Sequence, residues 1–371
     1  MSVSMSGGGE GREGRAWIEV DLAALVDNAR TVARIAGTRL LPIVKANAYG
    51  VGAVAASAAL ERLDPAPAGY GVATVAEGAE LRAAGVTRPI LVFLPARPEL
   101  FESVHEFQLT PVLEDARAIH DWTARGARGG AFQLEIDTGM GRTGVRWDEI
   151  DTLADALDTP YLAGCFTQLH SADRPPPEES AERQLERFLE AVGRLARRPP
   201  LLHAANSAAA LRDRKFALDL VRPGIFLYGG APGEGLATPR PVVTVRARVV
   251  SVRQLPAGES VGYGGSWVAA RDTTVATLGI GYADGVRRGL GASGRAQVLL
   301  RGRGCPVIGH VTMDLMMVDA GTGPVAVGDV ATILGTDGDR TIALAEFAGW
   351  AGAISYEVLT GLGPRLPRIH R

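Results

Sequence analysis

From Ala16 to Gly230 the chain alternates apolar runs of strand length with stretches of helical spacing. The runs are Leu40–Val44, Tyr70–Val75, Ile90–Leu94, Thr110–Leu113, Phe132–Ile136, Tyr161–Thr167, Leu201–Ala204 and Leu218–Val221. Asp21 is placed to cap a first helix through Leu22, Leu25, Val26, Ala29, Val32 and Ile35, and Gly37 to end it. Ala53–Leu63, Ala76–Ala84 and the amphipathic Glu178–Leu195 also have helical spacing. Strands that are apolar without a break belong to a parallel sheet covered on both faces. A doubly wound sheet and a (β/α)8 barrel both satisfy this pattern. Eight strand runs within roughly 215 residues match the usual size of the barrel and favour it.

The pattern changes after Gly230. Ala231–Pro241 is rich in Gly and Pro, and beyond it Val242–Val252, Thr273–Ile280, Gln297–Arg301, Val307–Val318 and Val325–Leu334 are β-branched runs between Gly-rich turns. Helical patterns return only near Ile342–Trp350 and Tyr356–Leu362. The expected fold class is α/β: an N-terminal (β/α)8 TIM-like barrel followed by a C-terminal, mainly antiparallel β domain. The expected domains are a disordered tail at 1–14, the barrel at 15–235 and the β-rich domain at 236–371. The tail is rich in Ser, Gly, Glu and Arg and lacks the apolar core of a secretory signal.

Composition removes several function classes. A formal net charge of −2 argues against a nucleic-acid binder that works by neutralising phosphates. No run of roughly 18 apolar residues suggests a membrane span. The two cysteines, Cys165 and Cys305, cannot build a disulfide framework or a closed zinc site, and no metal is expected. A reducing cytoplasm is the natural compartment. The 39 basic residues are lopsided, because only Lys45 and Lys215 are lysines and the rest are arginines.

Lys45 ends the first apolar run, on the face of a barrel where active sites are built. A lysine among apolar neighbours loses its proton more easily, and its neutral amine can form a Schiff base with an aldehyde. Arginine can do neither. Further run ends carry Asp137-Thr138-Gly139-Met140-Gly141-Arg142, His203-Ala204-Ala205-Asn206-Ser207 and Val221-Arg222-Pro223-Gly224-Ile225. Loops after strands seven and eight form the usual phosphate cradle of a TIM barrel. An imine-forming lysine with a phosphate cradle asks for pyridoxal phosphate.

These residues resemble the alanine racemase family, the fold-type III pyridoxal-phosphate enzymes. The likeness runs from Ala16 to Arg371. Its most specific element is Val44-Lys45-Ala46-Asn47-Ala48-Tyr49-Gly50. Ala205-Asn206-Ser207, Gly279-Ile280-Gly281-Tyr282-Ala283-Asp284-Gly285, Met313-Asp314 and Ile354-Ser355-Tyr356-Glu357 follow in the family's order.

The resemblance implies a cytoplasmic isomerase that uses pyridoxal 5′-phosphate to interconvert L- and D-alanine, supplying D-alanine for the peptidoglycan of the cell wall. It implies that Lys45 binds the cofactor and acts as one base, and that Tyr263 of the other subunit of a homodimer acts as the second. Arg222 would contact the pyridine nitrogen, with His203 behind it. Tyr49, Ser207, Gly224, Ile225 and Tyr356 would surround the phosphate. Arg142 and the partner's Met313 would orient the substrate carboxylate.

The chain departs from the family at four places. Glu135 stands where many members have a carbamylated lysine, and a carboxylate there could hold Arg142 directly. Gln168 replaces a common histidine, with His170 two residues on as a substitute if the strand extends that far. Val51 and Thr312 replace a frequent histidine and a frequent cysteine.

Rival readings are weaker. Gly50-x-Gly52-x-x-Ala55 followed by Glu77 imitates a dinucleotide fingerprint, but its first Gly lies several residues beyond the strand. A pyridoxal-phosphate carrier without catalysis would need no second domain. A racemase of broader specificity, or another fold-type III enzyme, is the alternative within the family.

Overall fold

The computed structural model describes residues 14–125, 130–174 and 180–371. The tail expected at 1–14 lies, except for Gly14, outside the described residues, as does the start of the helix expected from Glu178. The chain divides into two compact units. One contains Leu25–Leu227 with Ala231–Arg240, and the other contains the residues up to Ala24, Tyr228–Gly230 and Pro241–Arg371.

The first unit is the barrel. Parallel strands Tyr70–Val72, Ile90–Val92, Thr110–Leu113, Phe132–Asp137, Leu162–Phe166 and Leu201–His203 pair in chain order, and Leu220–Val221 pairs with Arg39–Leu40. A few backbone bonds join the two sheets: Asp219 and Arg222 N–H donate to Leu202 O and Ala205 O at one seam, and Gly71 N–H to Pro42 O and Val44 N–H to Gly71 O at the other, where Ile43 bridges to Gly71. The ring therefore closes. Strands Tyr70–Val72 and Ile90–Val92 are buried along their whole length, as apolar runs covered on both faces must be.

Six of the eight barrel strands are shorter than their apolar runs, two of them for a local reason. The run Leu40–Val44 pairs regularly only at Arg39–Leu40, because Pro42 has no N–H to donate to a ladder. At the other seam, Leu218 takes φ 49°, so the eighth strand is only Leu220–Val221. The first helix, Leu22–Ala36, is capped as expected: Asp21 Oδ1 accepts the Ala24 N–H at 2.7 Å, and Gly37 ends it at φ 70°.

The second unit is mainly antiparallel. Its sheet is organised by Val243–Leu255, where apolar Val243, Val245, Ala247 and Val249 alternate inward with Thr244, Arg246 and Arg248. The segment Ala16–Val20 falls within the 15–235 block assigned to the barrel, but it lies antiparallel against Val243–Leu255 and parallel to Arg368–His370. All five of its residues are buried in this sheet. The run expected at Val307–Val318 is two strands, Arg303–Ile308 and Met316–Gly321, because Gly309 at φ 64° breaks the ladder. The loop between them carries Met313.

Candidate active site

Lys45 follows the bridge at Ile43 and opens a turn of unusual hand. Ala46, Asn47, Ala48 and Tyr49 have φ of 52°, 54°, 51° and 54°. None is glycine, so each costs roughly 1–2 kcal/mol. The turn is offset by its own hydrogen bonds: Ala48 N–H to Val44 O and Gly50 N–H to Ala46 O, both 2.8 Å. Asn47 Oδ1 adds a contact by accepting the Ala53 N–H at 2.8 Å. Ala46 is exposed, so Ala46→Gly is expected to stabilise the chain by about 0.5–1 kcal/mol once the freedom glycine adds to the unfolded state is subtracted. The urea midpoint should rise with an unchanged slope, and a lower midpoint would show that no strain resides there.

Lys45 reaches the solvent at the strand end, yet the crowd of protein atoms around its amine lowers its pKa from the ordinary lysine value. Arg142 lowers it further and Glu77 opposes. Lys215 is the opposite case. Its hydrogen bond to Glu182 at 3.0 Å raises its pKa and keeps it an ammonium.

Arg222 is 4% exposed and follows the eighth strand. Its guanidinium donates to His203 Nδ1 and His203 O at 2.8 Å, Thr167 O at 2.7 Å, Ala204 O at 3.2 Å and Gln168 Oε1 at 3.3 Å. Every one of these acceptors is neutral. Burial brings its pKa down to about 10, with Glu135 opposing and Arg142 adding. Because arginine can only donate, His203 Nδ1 must accept, so the His203 proton sits on Nε2 and is donated to Gln133 Oε1 at 2.7 Å. Burial, then Arg222, hold the His203 pKa well below its usual value, so the ring is neutral. It lies stacked on Phe166, which also faces the Arg222 guanidinium.

Glu135, 3% exposed, lies 3.7 Å from Arg142 and accepts from Thr143 Oγ1 at 2.8 Å. Burial pushes its carboxyl pKa up, against the pull of Thr143, Arg142 and Arg222 and with a push from Glu114. Lys45, Arg142, Glu135, Arg222 and His203 therefore form one electrostatically coupled group.

A second group is steric. A side-chain carbon at Gly224 would stand 2.2 Å from the Tyr49 hydroxyl, so only glycine fits there. The Gly224 N–H donates to Ser207 Oγ at 2.9 Å, and Ile225 beside it is buried. Ser207 starts the helix Ser207–Arg212, which Asn206 caps through the Ala209 N–H.

His170 does not stand in for Gln168. The strand ends at Phe166, His170 is exposed, and its Nδ1 lies 2.6 Å from Ser171 Oγ. Gln168 itself reaches Arg222. Val51 is buried.

Tyr263, Met313 and Tyr356 belong to the β unit. Tyr263, 70% exposed, opens the turn Tyr263–Gly265, and Met313 is 53% exposed. Tyr356 lies on the helix Ser355–Gly361. The Thr312 hydroxyl donates to Leu315 O at 3.0 Å and accepts the Leu315 N–H at 3.1 Å, which closes the Met313 loop. Tyr282 and Ala283 donate their N–H groups to Thr312 O and Met313 O at 2.9 and 3.0 Å.

Sequence reasoning missed Gln133 and Phe166, which look like ordinary strand residues. It noted Glu77 only as a mimic of a dinucleotide-binding acid. The signal for a different role was present in Thr74-Val75-Ala76-Glu77, a capping box, which the structure forms.

The chain matches the family model "Alanine racemase, N-terminal domain" over residues 20–232 and "Alanine racemase, C-terminal domain" over 242–370. It is 41% identical to the alanine racemase of Synechocystis sp., covering 96% of this chain and 98% of that one. With the alanine racemase of Symbiobacterium thermophilum it shares 42% identity, over 95% and 96% of the two chains. The crystal structure of alanine racemase from a D-cycloserine-producing Streptomyces lavendulae superposes with a TM-score of 0.87 at 33% identity, covering 96% of this chain and 97% of that one. Family models that span both units, full-length relatives and a superposable fold agree: the chain belongs to the alanine racemase family.

Proposed function

We propose that this chain interconverts L-alanine and D-alanine, with pyridoxal 5′-phosphate as cofactor and with Lys45 and Tyr263 as its two proton-transferring groups. The observation that carries the reading is the barrel mouth itself, where a deprotonation-prone amine at Lys45 shares a field with Arg142 and the buried, carboxylate-free contacts of Arg222. This donor set fits an anionic cofactor with an aldehyde. Lys45, Tyr49, His203, Ser207, Arg222, Gly224, Ile225 and Tyr356 would hold it, and the close approach of the Tyr49 hydroxyl to the Gly224 backbone, beside Ser207, supports that placement. When bound, pyridoxal phosphate supplies the electron withdrawal that makes an amino acid's Cα proton removable.

The remaining work falls to the chain. Racemisation takes a proton from one face of Cα and returns one to the other, so a base on each side is the minimal set. Lys45, whose pKa burial and Arg142 bring below the ordinary lysine value, is the group suited to take or return a proton on one face. Tyr263 serves the opposite face. Arg222, backed by a neutral His203, is a donor that keeps its proton and would leave the ring nitrogen of a bound cofactor unprotonated. Arg142, held near Glu135, and Met313 orient the substrate carboxylate.

In this reading the barrel unit binds the cofactor, and the β unit supplies Tyr263 and Met313 to the site of a second copy. The exposed Tyr263, Met313, Ile354 and Tyr356 suit such a homodimer. We place the enzyme in the cytoplasm, making D-alanine for peptidoglycan. No helix among the described residues is long and apolar enough to cross a membrane.

The test is reconstitution with pyridoxal phosphate, followed by borohydride reduction and peptide mapping. A new visible absorption band and covalent tagging of the Lys45 peptide are expected, and tagging of Lys215 alone would refute the assignment. Cα-deuterium exchange should be fastest with alanine among the proteinogenic amino acids. Faster exchange with serine or lysine would overturn the substrate.

A further inference from the structure

Glu77 ties the ends of two barrel strands together through one carboxylate. Its Oε2 accepts the N–H groups of Ala73 at 2.7 Å and Thr74 at 3.1 Å, directly after the strand Tyr70–Val72. Thr74 Oγ1 accepts the Glu77 N–H in return at 3.2 Å. That exchange completes the capping box of the helix Val75–Ala83. The helix start makes no use of Oε1. This second oxygen instead accepts the N–H of Ala46 at 2.7 Å, across 31 positions of sequence. Ala46 is the residue after Lys45 and the first of the four left-handed residues. A turn that costs free energy at every step is thus pinned at its first peptide by a charged acceptor, the stronger kind of backbone partner.

We propose that Glu77 is a positioning residue for Lys45, anchoring the first peptide of the left-handed turn to the end of the neighbouring strand. The proposal rests on Lys45 being the functional amine. The carboxylate's charge also reaches Lys45: Glu77 favours its ammonium, whereas burial and Arg142 disfavour it. Gln at 77 would lose that charge, and its amide nitrogen could not accept a backbone N–H.

The test compares Glu77→Gln with Thr74→Ala, which damages the same capping box but leaves the reach to Ala46. In the holoenzyme, Glu77→Gln is expected to lower kcat about 10- to 100-fold with little change in the KM for alanine, the scale of a misplaced reacting group. Thr74→Ala should keep kcat near wild type while losing a similar amount of thermal stability. The cofactor-free chain provides an independent readout. Because it has two lysines, acetic anhydride labelling across pH, read by peptide mass, follows Lys45 with Lys215 as internal reference. The Lys45 midpoint should move to lower pH in Glu77→Gln and stay in place in Thr74→Ala.

Equal effects of the two variants on kcat and on the midpoint would overturn the proposal, reducing Glu77 to a helix cap. If Glu77→Gln does not fold, Glu77→Asp carries the test. It keeps the charge but is one methylene too short to span both strand ends, so wild-type kcat in that variant also overturns the proposal. Failure of borohydride to tag Lys45 in the wild-type holoenzyme would instead sink the reading of Lys45 itself.

Discussion

Replacing Lys45 with alanine is expected to lower alanine racemisation by about four orders of magnitude or more, since it removes both a covalent anchor and a base. Lys45→Arg should fare no better, because a guanidinium forms no imine and does not yield its proton. Nor can the other lysine substitute. Lys215 is paired with Glu182 at 3.0 Å and Asp213 at 3.6 Å, and its pKa is raised. The decisive arm mixes Lys45→Ala with Tyr263→Phe, each inactive alone. If every site draws its two bases from different subunits, random re-pairing of equal amounts restores about a quarter of the sites. Activity is measured after dissociation and reassociation. A mixture as dead as its components means that one chain supplies both bases, and sinks the shared site.

The largest stability effect is expected at Asp284. This residue is 0% exposed, and its carboxylate accepts two hydrogen bonds from Arg15 at 2.8 and 2.7 Å, one from Arg365 Nε at 3.0 Å and one from the Gly281 N–H at 3.0 Å. Arg365 continues to Asp314 at 2.7 Å, beside Met313, and Arg15 to Gly279 O at 2.6 Å. Asp284→Ala removes four hydrogen bonds and leaves the Gly281 N–H without its acceptor, while Arg15 keeps Gly279 O and Arg365 keeps Asp314, a loss of about 2–3 kcal/mol. Burial alone would raise the Asp284 pKa, but Arg15, the Gly281 N–H and Arg365 together bring it below the ordinary value. The folded chain therefore prefers the ionised form. That contribution is full above the unfolded pKa of about 3.9 and is lost as pH falls through the lower folded value. The deficit of Asp284→Ala, measured by urea unfolding, should be large at neutral pH and shrink in acid. A deficit that persists undiminished below the folded pKa would assign it to packing instead of charge.

Much of this was legible in the residues. Eight apolar runs implied a covered parallel sheet because both faces of each strand must be buried, and Lys45 at the end of one run marked the reactive face. Asp21 and Gly37 bounded the first helix through local cap chemistry. Such signals are short-ranged, and the chain carries them wherever it goes.

Other features depended on contacts between distant segments. Ala16–Val20 is apolar enough for either unit, and only the open edge of Val243–Leu255 decided its partner. His203 became neutral with its proton on Nε2 because Arg222 and Gln133 flank it in space. His170, plausible by spacing, turned to Ser171 once the strand stopped at Phe166. The sequence by itself determined the alternation, the caps and which side chains had the right chemistry. The tertiary structure alone decided which carboxylate would meet which backbone, as when Glu77 crossed 31 positions to Ala46, because hydrogen bonds and burial are satisfied in space and not along the chain.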